Sequence, residues 1–224
     1  MHKAHSEHSS PRDRRAFTLL ELLVSVGIIA ILLIILLPVI VLARRHARDA
    51  TCKSNLSQIW KAMVMYANNS NETLFVNYST PLRISNVVYK EQRATGLGCL
   101  YPAYLPDYSV LFCTGDPVRG PEWFYGWDNW ETEEGEVQCS YGYRGRQNLV
   151  ADVNTALTIS ELDSNPQKVA VVEFYETFTS PARVNHPNHI NFLRCNGQVE
   201  QAGEIVSFGP NPEDFQHALD VLDR

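Results

Sequence analysis

The sequence predicts an α+β fold: a long N-terminal α-helix, with a transmembrane half and an amphipathic half, packed on a small, mainly antiparallel β-sheet domain. Residues 22–43 form an uncharged run rich in Leu and Ile, followed by a helical apolar stripe, and after residue 70 short runs are broken by Gly, Pro and Asn. The predicted segments are a polar leader (1–16), a transmembrane helix (17–43), an amphipathic extension of the same helix (44–68) and a globular domain (69–224).

The apolar run 22–43 matches the roughly 20 residues that a helix needs to cross a hydrocarbon core. A secretory signal peptide has a shorter apolar region of about 7–15 residues and a small-residue cleavage site, and no such site follows this run. A buried core helix seldom supplies so long an uncharged stretch. We therefore expect one transmembrane helix.

The net charge of −6 is unevenly distributed, because the first 16 residues carry four basic and two acidic side chains. These residues sum to +2, so the rest of the chain carries a net charge of −6 − 2 = −8. Phosphate binding needs a basic face, so nucleic acid is not expected as a partner.

Helical periodicity continues beyond the apolar run until the polar residues 68–71 end it. An apolar stripe at spacings of three and four predicts an amphipathic helix. It consists of Leu56, Ile59, Trp60, Met63, Val64 and Ala67.

The remaining sequence predicts strands at 168–175, 189–194 and 204–208. Asn196-Gly197 stands between two of these strands and is typical of a tight turn. Residues 211–214 resemble a helix start with a cap, a proline and early acids, so a short terminal helix is expected.

The junction at residues 14–24 combines a basic leader with an apolar helix that carries Glu21 in its first turns. Burying an ionised carboxylate in lipid costs at least about 2.5–3.5 kcal/mol, so an acid at this depth usually has a partner or a function.

This junction resembles the processing motif of type IV prepilins and pseudopilins. The resemblance implies cleavage between Ala16 and Phe17, methylation of Phe17, and an assembly pair between the Phe17 amine and the Glu21 of a neighbouring subunit. Glu21 is the fifth residue counted from Phe17. Pro38 resembles a proline that breaks the helix in many pilins, whereas Ala16 stands where the family usually has Gly.

The body resembles a subgroup of pseudopilin-like proteins in two stretches. The first is residues 52–59. The second is His186 followed, after nine residues, by Asn196-Gly197, where the subgroup has Asp-Gly. This resemblance implies a Cys52–Cys113 disulfide. From the residues themselves we expect His186 to satisfy a backbone group in a capped turn.

Five cysteines are an odd number, so at least one is free or intermolecular. Pairing of Cys99 with Cys113 or with Cys139 is open as well, and sequence alone does not fix connectivity. The absence of any Cys-x-x-Cys pair argues against a zinc site. The fifth cysteine is Cys195.

Two stretches have alternative interpretations as metal sites. The segment 186–189 contains two histidines but is interpreted as a loop, since no carboxylate lies beside them. The acidic segment 128–136 offers oxygen ligands, and major pseudopilins bind calcium in a loop, yet it lacks EF-hand spacing. We therefore expect no cofactor, with calcium as the alternative.

Aromatic residues next to the acidic segment predict a small satellite core. The alternative is a surface that binds a filament neighbour or a carbohydrate. These residues are Trp123, Phe124, Tyr125, Trp127 and Trp130.

No nucleophile elbow, phosphate-binding glycine loop or His-Glu-x-x-His motif is present in the sequence, so an enzyme is not expected. The resemblance implies a structural subunit of a pilus-like or pseudopilus filament in the bacterial inner membrane, with its C-terminal domain in the periplasm or on an extracellular filament. Its partners would be a prepilin peptidase/methyltransferase, other subunits and the inner-membrane assembly machinery. The alternative is a membrane-anchored extracytoplasmic binding or enzymatic domain.

Overall fold

The computed structural model describes residues 18–75, 84–90, 93–115, 136–144, 157–173, 186, 189–203 and 219–223. Within these residues a long N-terminal helix precedes an antiparallel sheet, which confirms the predicted α+β fold. The chain divides into two compact units whose boundary lies inside that helix, between Arg44 and Arg45.

The first unit contains the N-terminal part of helix α1, which spans Leu19–Asn69. All side chains of residues 19–44 are exposed, and most of them are Leu, Ile or Val. Leucine loses little rotamer freedom in a helix, whereas the β-branched Ile and Val lose more, and the lack of any glycine other than Gly27 in this stretch favours an unbroken helix.

The second unit contains the rest of α1 and the sheet. Six strands are described, with the order β2-β1-β3-β4-β5-β6, and every described pairing is antiparallel. The strands are β1 Ile84–Lys90, β2 Arg93–Ala94, β3 Glu136–Arg144, β4 Val169–Glu173, β5 His189–Arg194 and β6 Val199–Gly203.

Short helical segments connect the strands. Two 3-10 helices span Gly96–Leu100 and Tyr108–Leu111, and α2 spans Ile159–Asp163. Thr158 begins α2 with a capping box, because its side chain accepts from the Glu161 backbone N–H while the Glu161 carboxylate accepts from the Thr158 N–H. Residues 219–222 are helical, at the place of the predicted terminal helix.

The second half of α1 lies in the main core. Its stripe buries Leu56, Ile59, Met63 and Ala67 fully, whereas Trp60 and Val64 are half-buried. The same core contains the sheet residues Val88, Cys139, Tyr141, Tyr143, Val171 and Leu193.

A second apolar cluster contains residues of β4 and β5 together with the terminal helix: Val169, Val172, Ile190, Phe192, Leu219 and Leu222. In β5, Ile190 and Phe192 belong to this cluster while Leu193 belongs to the main core, as the alternation of side chains along a strand requires. The two faces of this part of the sheet are therefore both covered. The predicted strand 204–208 lies outside the described residues, and β6 ends just before it.

Candidate functional site

The N-terminal part of α1 presents an apolar surface on every side. Its large side chains are between 37% exposed, at Ile40, and 81% exposed, at Leu19. Soluble proteins rarely leave so much contiguous apolar area to water. By length and composition, α1 can cross a membrane, and it fits a single-pass membrane-anchored protein.

Glu21 closes a capping box at the start of α1. Its Oε2 accepts hydrogen bonds from the backbone N–H and the hydroxyl of Thr18, both at 2.9 Å, and its own N–H donates to Thr18 Oγ1 at 3.2 Å. These bonds satisfy two of the donors that a helix start leaves without partners. Sequence reasoning missed the role of Thr18, although Thr-x-x-Glu is a readable capping signature.

Pro38 lies inside α1, and the helix continues on both sides of it. The described residues therefore contain no break at the position where the resemblance implied one. Proline lacks one backbone donor, but the neighbouring turns keep their hydrogen bonds, which explains how a single proline can stay within a long helix.

A disulfide joins Cys52 of α1 to Cys113, the pair that the subgroup resemblance implied. The Asn55 amide donates to the Phe112 carbonyl at 3.0 Å, and the Thr114 hydroxyl donates to the Arg48 carbonyl at 3.3 Å. Residues 112–114 are thus attached to α1 by one covalent and two hydrogen bonds. The alternative pairs are not formed, and Cys99, Cys139 and Cys195 have no disulfide.

Next to this disulfide lies a group of polar side chains that we call the α1–β5 cluster. It consists of Asp49 from α1, Glu173 from the end of β4, His189 and Asn191 from β5, and His186. Asn191 and Glu173 are almost completely buried, at 0% and 3% exposure, and His186 is buried as well.

Within the α1–β5 cluster the amide of Asn191 bridges two carboxylates. Its Nδ2 donates to Asp49 Oδ1 at 2.7 Å and to Glu173 Oε1 at 3.1 Å, and its backbone N–H donates to Glu173 Oε2 at 3.0 Å. Two carboxylates are therefore held close together in a mostly buried place.

The two histidines of the cluster lie against these acids. His189 Nε2 is 2.7 Å from Asp49 Oδ1, and His186 Nε2 is 3.4 Å from Glu173 Oε1 and 3.3 Å from Cys113 Sγ. The rings stack with centroids 4.7 Å apart. A buried acid and a sulfur atom therefore lie at Nε2 of His186, and the expectation that this residue satisfies a backbone group in a turn stays a prediction.

Asp49 carries an unusually stable negative charge. Partial burial would raise its pKa, but hydrogen bonds from Lys53, Asn191 and His189 outweigh that effect and lower the pKa to about 2. Lys53 also forms an ion pair with Asp49 Oδ2 at 2.9 Å, so both carboxylate oxygens have partners.

The sequence contained signals for part of this cluster. Extending the apolar stripe of α1 backwards by helical steps from Leu56 reaches Cys52 and then Asp49, which places the acid on the buried face. Alternation along β5 places His189 and Asn191 on the same face as Leu193. Nothing in the local spacing indicated that Glu173 and His186 would join them.

The other end of the motif that begins at His186 forms the turn between β5 and β6. Gly197 N–H donates to the Arg194 carbonyl at 3.0 Å, and Gln198 N–H donates to Asn196 Oδ1 at 3.0 Å. Gly197 has a φ of +85°, and a Cβ there would overlap the indole of Trp60. The segment from His186 to Gly197 therefore approaches α1 at two places: in the α1–β5 cluster, near Asp49, and at the turn, against Trp60.

Several predicted sites lie outside the described residues. These are the cleavage site at Ala16 and Phe17, the aromatic group at residues 123–130, and the acidic segment apart from Glu136.

Comparison with known proteins agrees with the N-terminal geometry. The family model described as the prokaryotic N-terminal methylation motif matches residues 11–37, which include Phe17, Glu21 and most of the apolar run. The type IV wide pilus major component PilA4 of Thermus thermophilus is 38% identical over 60 residues, which cover 27% of this chain and 46% of that protein. The match thus spans about half the length of the relative. No solved structure matches the chain.

Fold and N-terminal motif together define a class: proteins with one apolar N-terminal helix, a methylation motif at its start and an antiparallel sheet after it. The matches confirm the resemblance of this chain to the type IV pilin and pseudopilin family, and the methylation-motif match lies in its N-terminal part.

Proposed function

We propose that this protein is a structural subunit of a type IV pilus-like or type II secretion pseudopilus filament, made as a prepilin, cleaved between Ala16 and Phe17 and N-methylated. The observation that carries the proposal is the match of residues 11–37 to the methylation motif, with Glu21 as the fifth residue after cleavage. A prepilin peptidase/methyltransferase and the inner-membrane assembly machinery would be its partners.

The surface of α1 supports packing among subunits. A helix that is apolar on every side can lie in lipid before assembly and against identical helices afterwards, since both surroundings are apolar. An environment in which the Cys52–Cys113 disulfide persists agrees with a domain in the periplasm or on an extracellular filament.

Glu21 is the residue through which assembly would select the correct neighbour. Before assembly its carboxylate accepts from Thr18, so the charge is partly compensated within the chain. In the filament the amine of Phe17 from a neighbouring subunit would replace these hydrogen bonds with an ion pair, and two charges that are costly in lipid would neutralise each other.

The test is the N-terminal sequence and intact mass of the protein purified from membranes of its native host, for wild type and for Glu21→Leu and Glu21→Gln variants. We expect all three chains to begin at Phe17 with one extra methyl group. Only the wild type should enter filaments, because both variants lack the negative charge. An uncut chain, or a chain cut after residue 43, would contradict the proposal.

The location of the subunit distinguishes a pilus from a pseudopilus. The Thermus relative is named as a pilus component, which favours a pilus. Sheared surface filaments that contain this subunit would support a pilus. A subunit confined to the periplasm, whose loss stops export of a secreted protein, would support a pseudopilus.

A further inference from the structure

We propose that the α1–β5 cluster is a binding site for a transition-metal dication, with Zn²⁺ as the best-fitting ion and Asp49, Glu173, His186 and His189 as its ligands. The site is independent of the filament role and would join α1 to the sheet beside the disulfide. It departs from the expectation, drawn from the sequence, that the protein has no cofactor.

The ligand atoms already lie together. One atom each of Asp49, His186 and His189 lies within 4.8 Å of the other two, and Glu173 Oε1 lies 3.4 Å from His186 Nε2. Zn²⁺ with bonds of about 2.0–2.2 Å holds tetrahedral donors about 3.4 Å apart, so the four side chains would have to converge and the two stacked imidazoles would have to rotate on binding.

The charge of the cluster favours a cation. Glu173 is 3% exposed, and a carboxylate in that position is costly unless a positive charge lies beside it. Among the described residues, Lys53 is the lysine or arginine that contacts Asp49 or Glu173. It contacts Asp49 Oδ2, whereas His189 lies at Oδ1 of the same carboxylate. A bound dication would supply positive charge beside both carboxylates.

A second observation points to a missing ligand. The carbonyl oxygen of the Asn191 side chain is buried and has no hydrogen-bond partner, although the residue is 0% exposed. Turning the amide over would bring this oxygen against both carboxylates, so the observed orientation is fixed by Asp49 and Glu173. Asn191 thus turns its nitrogen toward the two carboxylates, and a water molecule that enters with the ion would give Oδ1 the donor that it lacks.

The donor set selects the class of ion. Two imidazoles with two carboxylates suit Zn²⁺ and its transition-metal neighbours, whereas Ca²⁺ and Mg²⁺ prefer oxygen ligands alone. Cys52 and Cys113 would add soft thiolate ligands, but their disulfide removes both from coordination. The oxidised protein therefore offers a site of nitrogen and oxygen only.

The test uses the full chain in detergent with the disulfide intact, dialysed against Zn²⁺ and measured by elemental analysis. The leader histidines His2, His5 and His8 are replaced by Asn in every sample, because they could bind metal by themselves. We expect one Zn²⁺ per chain. Loss of a residue that only supports a metal ligand weakens metal binding by ~10–100-fold. Asp49→Asn and His189→Ala each remove a ligand, so each should weaken Zn²⁺ binding by more than this.

Two control variants make the result specific. His46→Ala removes an exposed histidine of α1 outside the cluster and should leave binding unchanged. Lys53→Met removes the competing positive charge and should tighten Zn²⁺ binding, whereas a merely structural cluster would show no gain.

A measurement on the wild type keeps the proposal testable if the ligand variants fail to fold. Co²⁺ bound at this site should show visible ligand-field bands without the ultraviolet sulfur-to-metal band of thiolate ligands. The proposal is overturned by a lack of binding, by binding that Asp49→Asn and His189→Ala leave unchanged in folded protein, or by binding that appears only after the disulfide is reduced.

Discussion

The two halves of helix α1 have the same secondary structure for different reasons. Up to Arg44 the side chains are apolar on all sides and exposed, and the family match covers most of this part. Beyond it, one face buries Cys52, Leu56, Ile59 and Met63 completely while the other face carries polar residues.

The difference teaches which interactions specify each half. Apolar composition and the Thr18–Glu21 capping box specify the first half. The second half depends on individual partners: the Cys52–Cys113 disulfide, the main core, the α1–β5 cluster and the turn at Gly197. Substitutions should therefore act very differently in the two halves.

The largest expected effect comes from removing the disulfide. Cys52→Ser with Cys113→Ser opens a loop of sequence separation 61, which the chain-entropy model values at about 4 kcal/mol in the free energy of unfolding. Denaturant unfolding of the protein in detergent measures it. As a control, Cys99→Ser should cost less than about 1 kcal/mol, because Cys99 has no disulfide. Equal midpoints for the double variant and wild type would show that the bond is unimportant to the second half.

Identical substitutions in the two halves give the most direct comparison. Leu56→Ala removes a side chain with 0% exposure and should lower the free energy of unfolding of the sheet domain by about 3 kcal/mol, through lost burial and a cavity. Leu36→Ala, at a position 50% exposed, should leave the same transition unchanged within about 0.5 kcal/mol. Similar losses in both variants would mean that the halves are not independent.

A smaller effect is expected at Gly197, in the turn that packs against Trp60. Gly197→Ala places a Cβ at positive φ and against the indole ring, so it should cost about 1–3 kcal/mol of stability and change the fluorescence of Trp60. Gly203→Ala is the matched control, since nothing lies within 4 Å of a Cβ built there, and it should be neutral within about 0.5 kcal/mol. If both variants unfold alike, the close approach at Gly197 has no energetic consequence.

The parts of the fold that depend on periodicity could be predicted from the sequence. The helix expected at residues 17–68 is found at Leu19–Asn69, and the strand expected at 189–194 is β5. Long helical stripes and clear alternation determine such elements locally. Strands β1, β2 and β3 were not predicted, because their residues mix polar, aromatic and glycine positions, and because β3 pairs with its neighbours only across long sequence separations.

The site was predictable only where it follows local rules. The turn at Asn196-Gly197 follows from glycine conformation, and Glu21 is conspicuous because a charge in an apolar run is costly. The α1–β5 cluster brings together residues up to 142 positions apart in the chain. The sequence does not show that Glu173 and Cys113 lie at the ring of His186.

The smallest expected effect concerns pH and the anchoring of α1 at Asp49. Its pKa is about 2 in the folded protein, below the ordinary value of 3.8, so its ionised form stabilises the fold above about pH 4. This contribution should be lost as the pH falls from about 4 to 2, and it should amount to about 1 kcal/mol because solvent screens a partly exposed group. Unfolding of wild type and Asp49→Asn across this range, with a chelator present, measures the difference. A constant difference between the two proteins from pH 6 to pH 2 would show that the Asp49 charge does not stabilise the second half of α1.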